Sequence, residues 1–357
     1  MYSMTYGVCT KGESDSLGLL LTPVKKELFQ GAIHRLHAQF DIFARTCPAP
    51  FPAPGLIITP EIRAQCELYL PIAEISAVFN RLYSAALTYP PTFSSTPFYN
   101  ALSWADCFAA LPTKSQSSAN PARLLESLLA DGDLLTTFLF ASFLPNRFYS
   151  SSRRYPLQLN FIREWLVTRK RGTVCCLDAA CGTGEESYDL ALQLSKDGFS
   201  PEQVHIDGWT LEPLEVWAAT HRRFPHDRYR EELFRETTAE LFKNGFQTHI
   251  CFNCVDLTQI PLYPASLNRE AVGGGQFDII LCNGLLGGPI LHKKEPLERI
   301  INNLSQLLAP GGIMLAADNF HDGWKQKCPQ SKLRALFEAQ GLQYIESGEG
   351  VGGLKPY

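Results

Sequence analysis

The sequence has 357 residues, of which 45% are hydrophobic and 19% are charged, with a formal net charge of -4 at pH 7. A chain of this length can bury a full hydrophobic core and is long enough for two domains. The slightly acidic balance gives no sign of the basic face that a nucleic-acid backbone requires, so we expect no nucleic-acid partner.

The start of the chain and its cysteines predict a cytoplasmic protein. Residues 1–11 contain no basic run leading into an apolar core, so no signal peptide is expected. The longest apolar stretch, residues 134–144, is shorter than the roughly 20 residues that cross a bilayer. Of the 11 cysteines, Cys251 and Cys254 form a C-x-x-C, but no second pair follows at zinc-binding spacing. We therefore expect no membrane span and no metal.

Residues 1–154 predict a mostly helical domain. Amphipathic helical patterns cover residues 60–87 and 121–143, and the second begins with a proline after a polar stretch. The proline-rich residues 48–60 predict a loop. We expect this domain to shape an acceptor pocket or to form a lid.

Residues 155–357 predict a Rossmann-like, doubly wound α/β domain. After a bridging helix at residues 157–170, short apolar strands alternate with helices, which is typical of a parallel sheet covered on both faces. The predicted strands are 174–177, 204–211, 249–253, 277–281, 313–317 and 342–346. The predicted helices are 185–194, 213–223, 296–308 and 331–340. The Pro310-Gly311-Gly312 sequence is expected to stop the third of these helices, and the tail at 348–357 leaves open how an antiparallel strand completes the sheet.

The segment after the first predicted strand carries the ligand-binding signal. In a doubly wound sheet, ligands bind beyond the carboxyl ends of the strands. The first turn of this kind runs from Asp178 to Glu186, and two glycines in it allow the backbone to bend sharply and approach a ligand closely. The expected ligand contacts in this turn are Asp178, Ala180, Gly182, Thr183, Gly184 and Glu185.

The charge of this turn distinguishes between nucleotide cofactors. A dinucleotide pyrophosphate at the helix N-terminus would be repelled by Asp178, Glu185 and Glu186. Ser187 also replaces the third glycine of a G-x-G-x-x-G pattern, so the dinucleotide fingerprint is incomplete. S-adenosylmethionine instead carries a sulfonium and an ammonium group, which suit a carboxylate-rich pocket. The turn therefore predicts S-adenosylmethionine as cofactor, with S-adenosylhomocysteine as product.

Polar residues also follow the next three predicted strands. Glu212 can accept hydrogen bonds from both ribose hydroxyls, worth about 1.5–3 kcal/mol each, although Thr210 is an alternative for this position. Asp256 and Leu257 follow the third strand, where an acid can bind the adenine amino group. Each acid can instead stabilise a helix N-terminus. Asn283 ends the fourth strand, where it can orient the cofactor or acceptor, or cap a turn.

Residues 178–191 resemble the cofactor loop of the chemotaxis receptor methyltransferases, the CheR-type protein-glutamate O-methyltransferases, through the cysteine, threonine, glycine, paired glutamates and tyrosine. Residues 277–282 and 308–312 resemble the same family. The resemblance covers the Rossmann-like half and implies a class I methyltransferase with a seven-stranded sheet. On the acceptor side the chain differs, because Asn283-Gly284 and Gly288 stand where the family usually has an arginine-asparagine pair and a tyrosine. Residues 221–243 predict a charged helix where the family has a small β subdomain.

These features predict an enzyme that transfers a methyl group to a small molecule or a protein side chain. Aligning the reacting atoms can lower the barrier by roughly 7–11 kcal/mol, so no catalytic side chain is obligatory. A CheR-like glutamate methyltransferase and a non-catalytic module that binds the cofactor are the alternatives.

A hydroxyl or ammonium acceptor would need a general base. His292 and His321, each beyond a predicted strand, are candidates for that base or are solvated loop residues. Three roles are open for Arg153, Arg154 and Tyr155: a lid over the methionine end of the cofactor, a grip on an anionic acceptor, or a solvated hinge.

Overall fold

The computed structural model describes residues 16–144, 154–169, 172–260, 276–288, 291–317 and 327–357. The described residues form two compact units. A helical unit contains residues 16–144 together with the short segment 224–231, and an α/β unit contains the described residues of 154–223 and 232–357. The predicted domain boundary after residue 154 follows residues 145–153, which lie outside the described residues, so it stays a prediction.

The helical unit is built from amphipathic helices with polar caps. Thr59 begins one helix by accepting the Ile62 N–H through its hydroxyl oxygen. Asn120 begins another by accepting the Ala122 N–H through its side-chain amide oxygen. Aromatic side chains fill the interior, where Tyr83 stacks on Phe138. Its helices are α1 (Gln30–Thr46), α2 (Pro60–Tyr69), α3 (Ile72–Ala86), α4 (Trp104–Ala110), α5 (Pro121–Ala130) and α6 (Gly132–Phe143).

Two long helices predicted in this unit are each divided in the structure. The helix predicted over residues 60–87 breaks at Pro71, because proline has no N–H to continue the hydrogen-bond ladder. The helix predicted over 121–143 breaks at Asp131, whose carboxylate accepts the N–H groups of Asp133 and Leu134 and so begins α6. The proline at residue 71 and the capping carboxylate at residue 131 each outweigh the continuous apolar period.

The α/β unit contains one mixed sheet of seven strands, as predicted from the resemblance. The strand order is β3-β2-β1-β4-β5-β7-β6. Neighbouring strands from β3 to β5 pair in parallel, whereas β7 pairs antiparallel with both β5 and β6. The predicted Rossmann-like fold class is confirmed. The strands are β1 (Val174–Asp178), β2 (Val204–Thr210), β3 (Ile250–Cys254), β4 (Phe277–Leu281), β5 (Leu308–Ala316), β6 (Gln343–Ile345) and β7 (Val351–Leu354).

Helices connect the parallel strands and bury apolar side chains with them. Every residue of β1 is buried, and β4 and β5 add Ile280 and Met314 to a core that α11 completes with Ile301 and Leu304. The helices are α7 (Pro156–Val167), α8 (Glu185–Lys196), α9 (Pro213–His221), α10 (Arg228–Lys243), α11 (Lys294–Leu307) and α12 (Gln330–Ala339).

The sequence-based prediction was wrong about one feature near the end of the chain and left a second one open. Pro310-Gly311-Gly312 lies inside β5, after α11 has ended at Leu307, and the pairing of β4 with β5 shifts register there. The tail that was left open forms β7, which fits only because Gly352 and Gly353 lack side chains: an added Cβ would lie 2.8 Å from Ile345 and 2.9 Å from Phe337, respectively.

Among the helices that the structure describes, none has both the length and the apolar character needed to cross a bilayer.

Candidate functional site

The turn between β1 and α8 has the sharp geometry expected from its glycines. β1 ends at Asp178, and α8 begins at Glu185. Between them, Gly182 has a φ of 52° and Gly184 a φ of 87°, both in the left-handed region that favours glycine. The backbone therefore turns at the carboxyl edge of the sheet, where the sequence predicted a ligand.

Gly184 also has a packing role that the sequence did not reveal. A Cβ on Gly184 would lie 2.8 Å from the ring of Phe252. Gly208 on β2 faces the same ring, and a Cβ there would lie 2.5 Å from it. The ring of Phe252 thus fills the space left by two glycines, so Gly184 is required even without a ligand.

Asp178 is a buried carboxylate, and one of its two oxygens has no hydrogen-bond partner among the described residues. Its side chain is fully buried, and Oδ2 accepts a hydrogen bond of 2.7 Å from the Ser187 hydroxyl. The other oxygen, Oδ1, is buried and has no hydrogen-bond partner among the described residues. Burial raises the pKa of Asp178, while the Ser187 hydroxyl opposes that rise. Because buried carboxylate oxygens are normally paired, Oδ1 is an acceptor that a ligand can fill.

Glu186 is the second acid of the turn and is half-buried. Its Oε2 accepts a hydrogen bond of 2.8 Å from Asn283 Nδ2, and its Oε1 lies 3.8 Å from Arg154 Nη1. Burial and the neighbouring Asp178 raise the pKa of Glu186, and the Asn283 amide and the Arg154 guanidinium only partly oppose this. The turn therefore holds two carboxyl groups that a bound cation would stabilise in their ionised form.

The remaining predicted residues of the turn are held close to the backbone. The buried Thr183 donates its hydroxyl to Glu185 Oε2 over 2.6 Å. Ala180 is half-buried between two buried neighbours. The structure thus brings all six predicted turn residues into one short loop at the end of β1.

Glu212 caps a helix in this structure. Its carboxylate accepts the Leu214 N–H over 3.2 Å at the start of α9. Thr210, the alternative for the ribose position, ends β2 and donates its hydroxyl to Glu215. The capping role considered for Glu212 is thus present, and the ribose role stays a prediction for both residues.

Asp256 closes a local turn after β3. Its Oδ1 accepts the N–H and hydroxyl of Thr258 over 2.8 and 2.6 Å, and its Oδ2 accepts the Gln259 amide over 2.9 Å. The neighbouring Leu257 is buried in the core of the sheet. Asp256 thus stabilises a turn and not the helix N-terminus considered as its alternative role, since residues 257–260 form no helix, and the adenine role stays a prediction.

Asn283 is bonded at every hydrogen-bonding position of its side chain. Oδ1 accepts the Ala317 N–H over 2.8 Å and Gln158 Nε2 over 3.1 Å. Nδ2 donates to Gln158 Oε1 and to Glu186 Oε2, each over 2.8 Å. This amide thus joins the ends of β4 and β5 to α7 and α8.

Sequence reasoning missed Gln158 entirely. The buried residues of α7 are Gln158, Ile162 and Leu166, which are spaced four apart on one face. A glutamine on an otherwise apolar stripe, buried to 1% exposure, must find hydrogen-bond partners. This interruption of the stripe was the available signal.

Arg154, a candidate from the sequence, lies beside the turn. Gly284 has a φ of 66°, and a Cβ there would lie 3.4 Å from Arg154 Nη2. The guanidinium also lies 5.0 Å from the centre of the Tyr155 ring. Arg153 and His321 lie outside the described residues. His292 is half-buried, and its Nδ1 has no hydrogen-bond partner within the described part of the chain.

A cavity of about 350 Å³ lies away from this turn. Its walls include Trp165, Arg169, Val174, Asp278 and Tyr357. Val174 is the first residue of β1, so the cavity lies at the amino ends of the strands. Because doubly wound sheets bind ligands at the opposite edge, the turn after β1 is the candidate site.

The chain is similar in part to known methyltransferases. No family model matches the sequence. A stretch of 142 residues is 29% identical to the probable biofilm formation methyltransferase WspC of Pseudomonas putida, and it covers 39% of this chain and 32% of that protein. The match thus spans about a third of the length of this relative.

Solved structures with distant similarity include two further methyltransferases. The N-methyltransferase NodS from Bradyrhizobium japonicum WM9 matches with 15% identity and a TM-score of 0.36, over 57% of this chain and 99% of that one. The magnesium protoporphyrin IX methyltransferase ChlM from Synechocystis PCC 6803, with bound S-adenosylmethionine, matches with 16% identity and a TM-score of 0.37, over 63% and 97%.

Proposed function

We propose that this chain is an S-adenosylmethionine-dependent methyltransferase that transfers a methyl group by direct displacement to a small molecule or a side chain. The observation that carries the proposal is the acidic turn, where a buried oxygen of Asp178 has no hydrogen-bond partner among the described residues and Glu186 lies beside it. The strand order agrees with it, since β7 is inserted antiparallel into a doubly wound sheet. The similarity to WspC supports the same activity.

The residues of the turn fit this cofactor in charge and in shape. The buried carboxyl group of Asp178 and the half-buried one of Glu186 suit the positive charges of a sulfonium and an ammonium group, whereas they would repel a pyrophosphate. The glycines leave the backbone open to close approach. The residues that would hold the cofactor are Asp178, Ala180, Gly182, Thr183, Gly184 and Glu185, with Glu212, Asp256, Leu257 and Asn283 beyond the later strands.

Binding and orientation are the tasks of these residues in the reaction. The bound cofactor supplies an activated methyl group. The protein must hold the acceptor in line with that group, and such alignment can account for roughly 7–11 kcal/mol of the barrier. A general base is needed only if the acceptor carries a proton at neutral pH.

A carboxylate acceptor, as in CheR-type enzymes, is the second candidate chemistry. It is favoured by the guanidinium of Arg154, which lies next to Gly284 at the end of β4. A carboxylate is already ionised near neutral pH and requires no base. Residues 1–154 would then select the molecule that carries the carboxylate.

Calorimetric titration with S-adenosylmethionine and S-adenosylhomocysteine tests the proposal. We expect the native chain to bind both, and we expect Asp178→Asn to bind at least about tenfold more weakly because the substitution removes a buried charge. Asp197→Asn, at the far end of α8, is the matched control and should bind like the native chain.

The absence of binding by the native chain would contradict the proposal. Binding accompanied by methyl transfer to an acceptor supports the enzyme. Binding without transfer to any acceptor in a broad screen supports instead the non-catalytic cofactor-binding module.

A further inference from the structure

One backbone contact settles which atom of the Asn283 amide is the oxygen and which is the nitrogen. A backbone N–H can only donate, so the atom that faces the Ala317 N–H over 2.8 Å must be the side-chain oxygen. The side-chain nitrogen must then face Glu186, where it donates over 2.8 Å. Asn283 thereby presents a hydrogen-bond donor to the half-buried carboxyl group of Glu186.

Gln158 takes up the two hydrogen-bonding positions that remain. Its Nε2 donates to Asn283 Oδ1 over 3.1 Å, and its Oε1 accepts from Asn283 Nδ2 over 2.8 Å. The exposures of the two side chains are 1% and 5%, so water does not readily replace either bond. Without Gln158, a buried amide would have two unsatisfied groups and would be free to tilt away from Glu186.

Gln158 is itself fixed through its backbone. Its N–H, in the first turn of α7, donates to Glu349 Oε2 over 3.0 Å. Glu349 lies in the loop just before β7. The first turn of α7 is therefore held from outside the helix, which keeps the Gln158 side chain in place over Asn283.

We propose that Gln158 is a positioning residue for cofactor binding, whose side-chain amide holds the Asn283 amide in the orientation that directs a donor at Glu186. The inference rests on the proposed function, because Glu186 is assigned there to the cofactor turn. Gln158 acts through Asn283, and its effect is on the ionisation and placement of the Glu186 carboxyl group.

The expected effect of losing Gln158 is a change in the pH dependence of ligand affinity. The donor from Asn283 lowers the pKa of Glu186, against burial and Asp178, which raise it. Loss of Gln158 weakens that donor, so Glu186 ionises at higher pH, and a ligand whose ammonium group needs the ionised carboxylate binds more weakly near pH 7. The titratable groups that act on Glu186 or respond to it are Asp178, Glu185, Arg154, Cys181 and Cys282.

The test is calorimetric titration with S-adenosylhomocysteine between pH 6 and pH 9. For Gln158→Met we expect affinity about tenfold below that of the native chain at pH 7, converging to within about twofold at pH 9, since a tenfold loss corresponds to a pKa one unit higher. Gln158→Glu, which keeps the length of the side chain, should shift the profile further because it adds a like charge. Gln158→Glu also provides the test if Gln158→Met folds poorly.

Gln116→Leu is the matched control. Gln116 in the helical unit is half-buried and donates to the carbonyl groups of Phe108 and Leu111, so its loss should lower the unfolding temperature without moving the pH profile. Gln158 variants that weaken binding by one factor at every pH, or not at all, would overturn the inference. So would an equal shift in Gln116→Leu. A native chain that binds at no pH would instead overturn the proposed function.

Discussion

Ser187 donates a hydrogen bond of 2.7 Å to Asp178, from the helix position where a dinucleotide-binding turn carries its third glycine. A glycine at that position serves close packing of helix and strand, whereas this serine satisfies an oxygen of a fully buried carboxyl group. The residue that breaks the dinucleotide pattern is therefore part of the acidic site. Substitutions at this contact and around it have defined consequences.

Ser187→Ala should destabilise the α/β unit. The substitution leaves Asp178 Oδ2 buried without its hydroxyl donor, which costs about 1–3 kcal/mol. The measurement is the midpoint of urea-induced unfolding. Ser195→Ala, later on the same helix, is the control and should change the midpoint little, and equal effects of the two variants would contradict the role given to Ser187.

The ligand-free protein should lose stability as the pH rises. Burial raises the pKa values of Asp178 and Glu186 in the folded state, so their contribution is fully present below the unfolded pKa and is lost as the pH rises through the folded one. Glu186→Gln removes one of these groups. We expect its unfolding temperature to exceed that of the native chain by about 2–4 °C at pH 8.5, which corresponds to about 1 kcal/mol.

The same difference should shrink at pH 5, where Glu186 is protonated in the native chain. Thermal unfolding in matched buffers measures both values. Glu338→Gln, an exposed residue that pairs with Arg334 on α12, is the control and should show no such trend. If Glu186→Gln raises the unfolding temperature more at pH 5 than at pH 8.5, the predicted direction of the pH dependence is wrong.

Gly184→Ala and Gly198→Ala separate backbone strain from steric overlap. Both glycines have a φ of 87°, so alanine at either site adopts an unfavourable left-handed conformation, at a cost of about 1–2 kcal/mol. Only at Gly184 does the new Cβ also meet Phe252, at 2.8 Å, since nothing lies within 4 Å of a Cβ at Gly198. Gly184→Ala should therefore cost about 1–3 kcal/mol more in urea unfolding, and Phe252→Leu should recover part of that excess.

Glu212→Gln tests the ribose contact while keeping the helix cap. The amide oxygen can still accept the Leu214 N–H, so the unfolding temperature should change little. If the carboxylate accepts the ribose hydroxyls, affinity for S-adenosylhomocysteine should fall by about tenfold, the equivalent of about 1.4 kcal/mol. A larger loss in Thr210→Val than in Glu212→Gln would assign the ribose to Thr210.

The sequence was most informative where one local pattern dictates one structure. β4 matches the prediction at both ends, and β1 extends only one residue further, because both strands are short and mostly apolar runs that follow polar residues. The turn from Asp178 to Glu186 was also located correctly. Its glycines, charges and place after a buried strand are all features of neighbouring residues.

Features that depend on distant partners could not be read in the same way. Gln158 meets Asn283 across 125 positions of the chain, and β7 pairs with β5 although its glycines carry no strand signal. The Pro310-Gly311-Gly312 sequence locally predicts a helix stop, but the Gly311 N–H donates to the Lys355 carbonyl in the tail. Tertiary pairing outweighed local preference in each case.

Because the short segment 224–231 belongs to the helical unit, that unit is complete only after this segment has been synthesised. Within the helical unit, its His226 ring stacks against Phe140 of α6 at a centre-to-centre distance of 6.3 Å. During synthesis, α1 to α6 leave the ribosome about eighty residues before this segment, at the usual pace of 5–20 residues per second. Several seconds therefore pass, during which β1 and β2 are synthesised, before the last side chains of the helical unit are available to pack. A fragment that stops at residue 154 would carry an open aromatic surface and would need a chaperone or the missing peptide to stay dispersed.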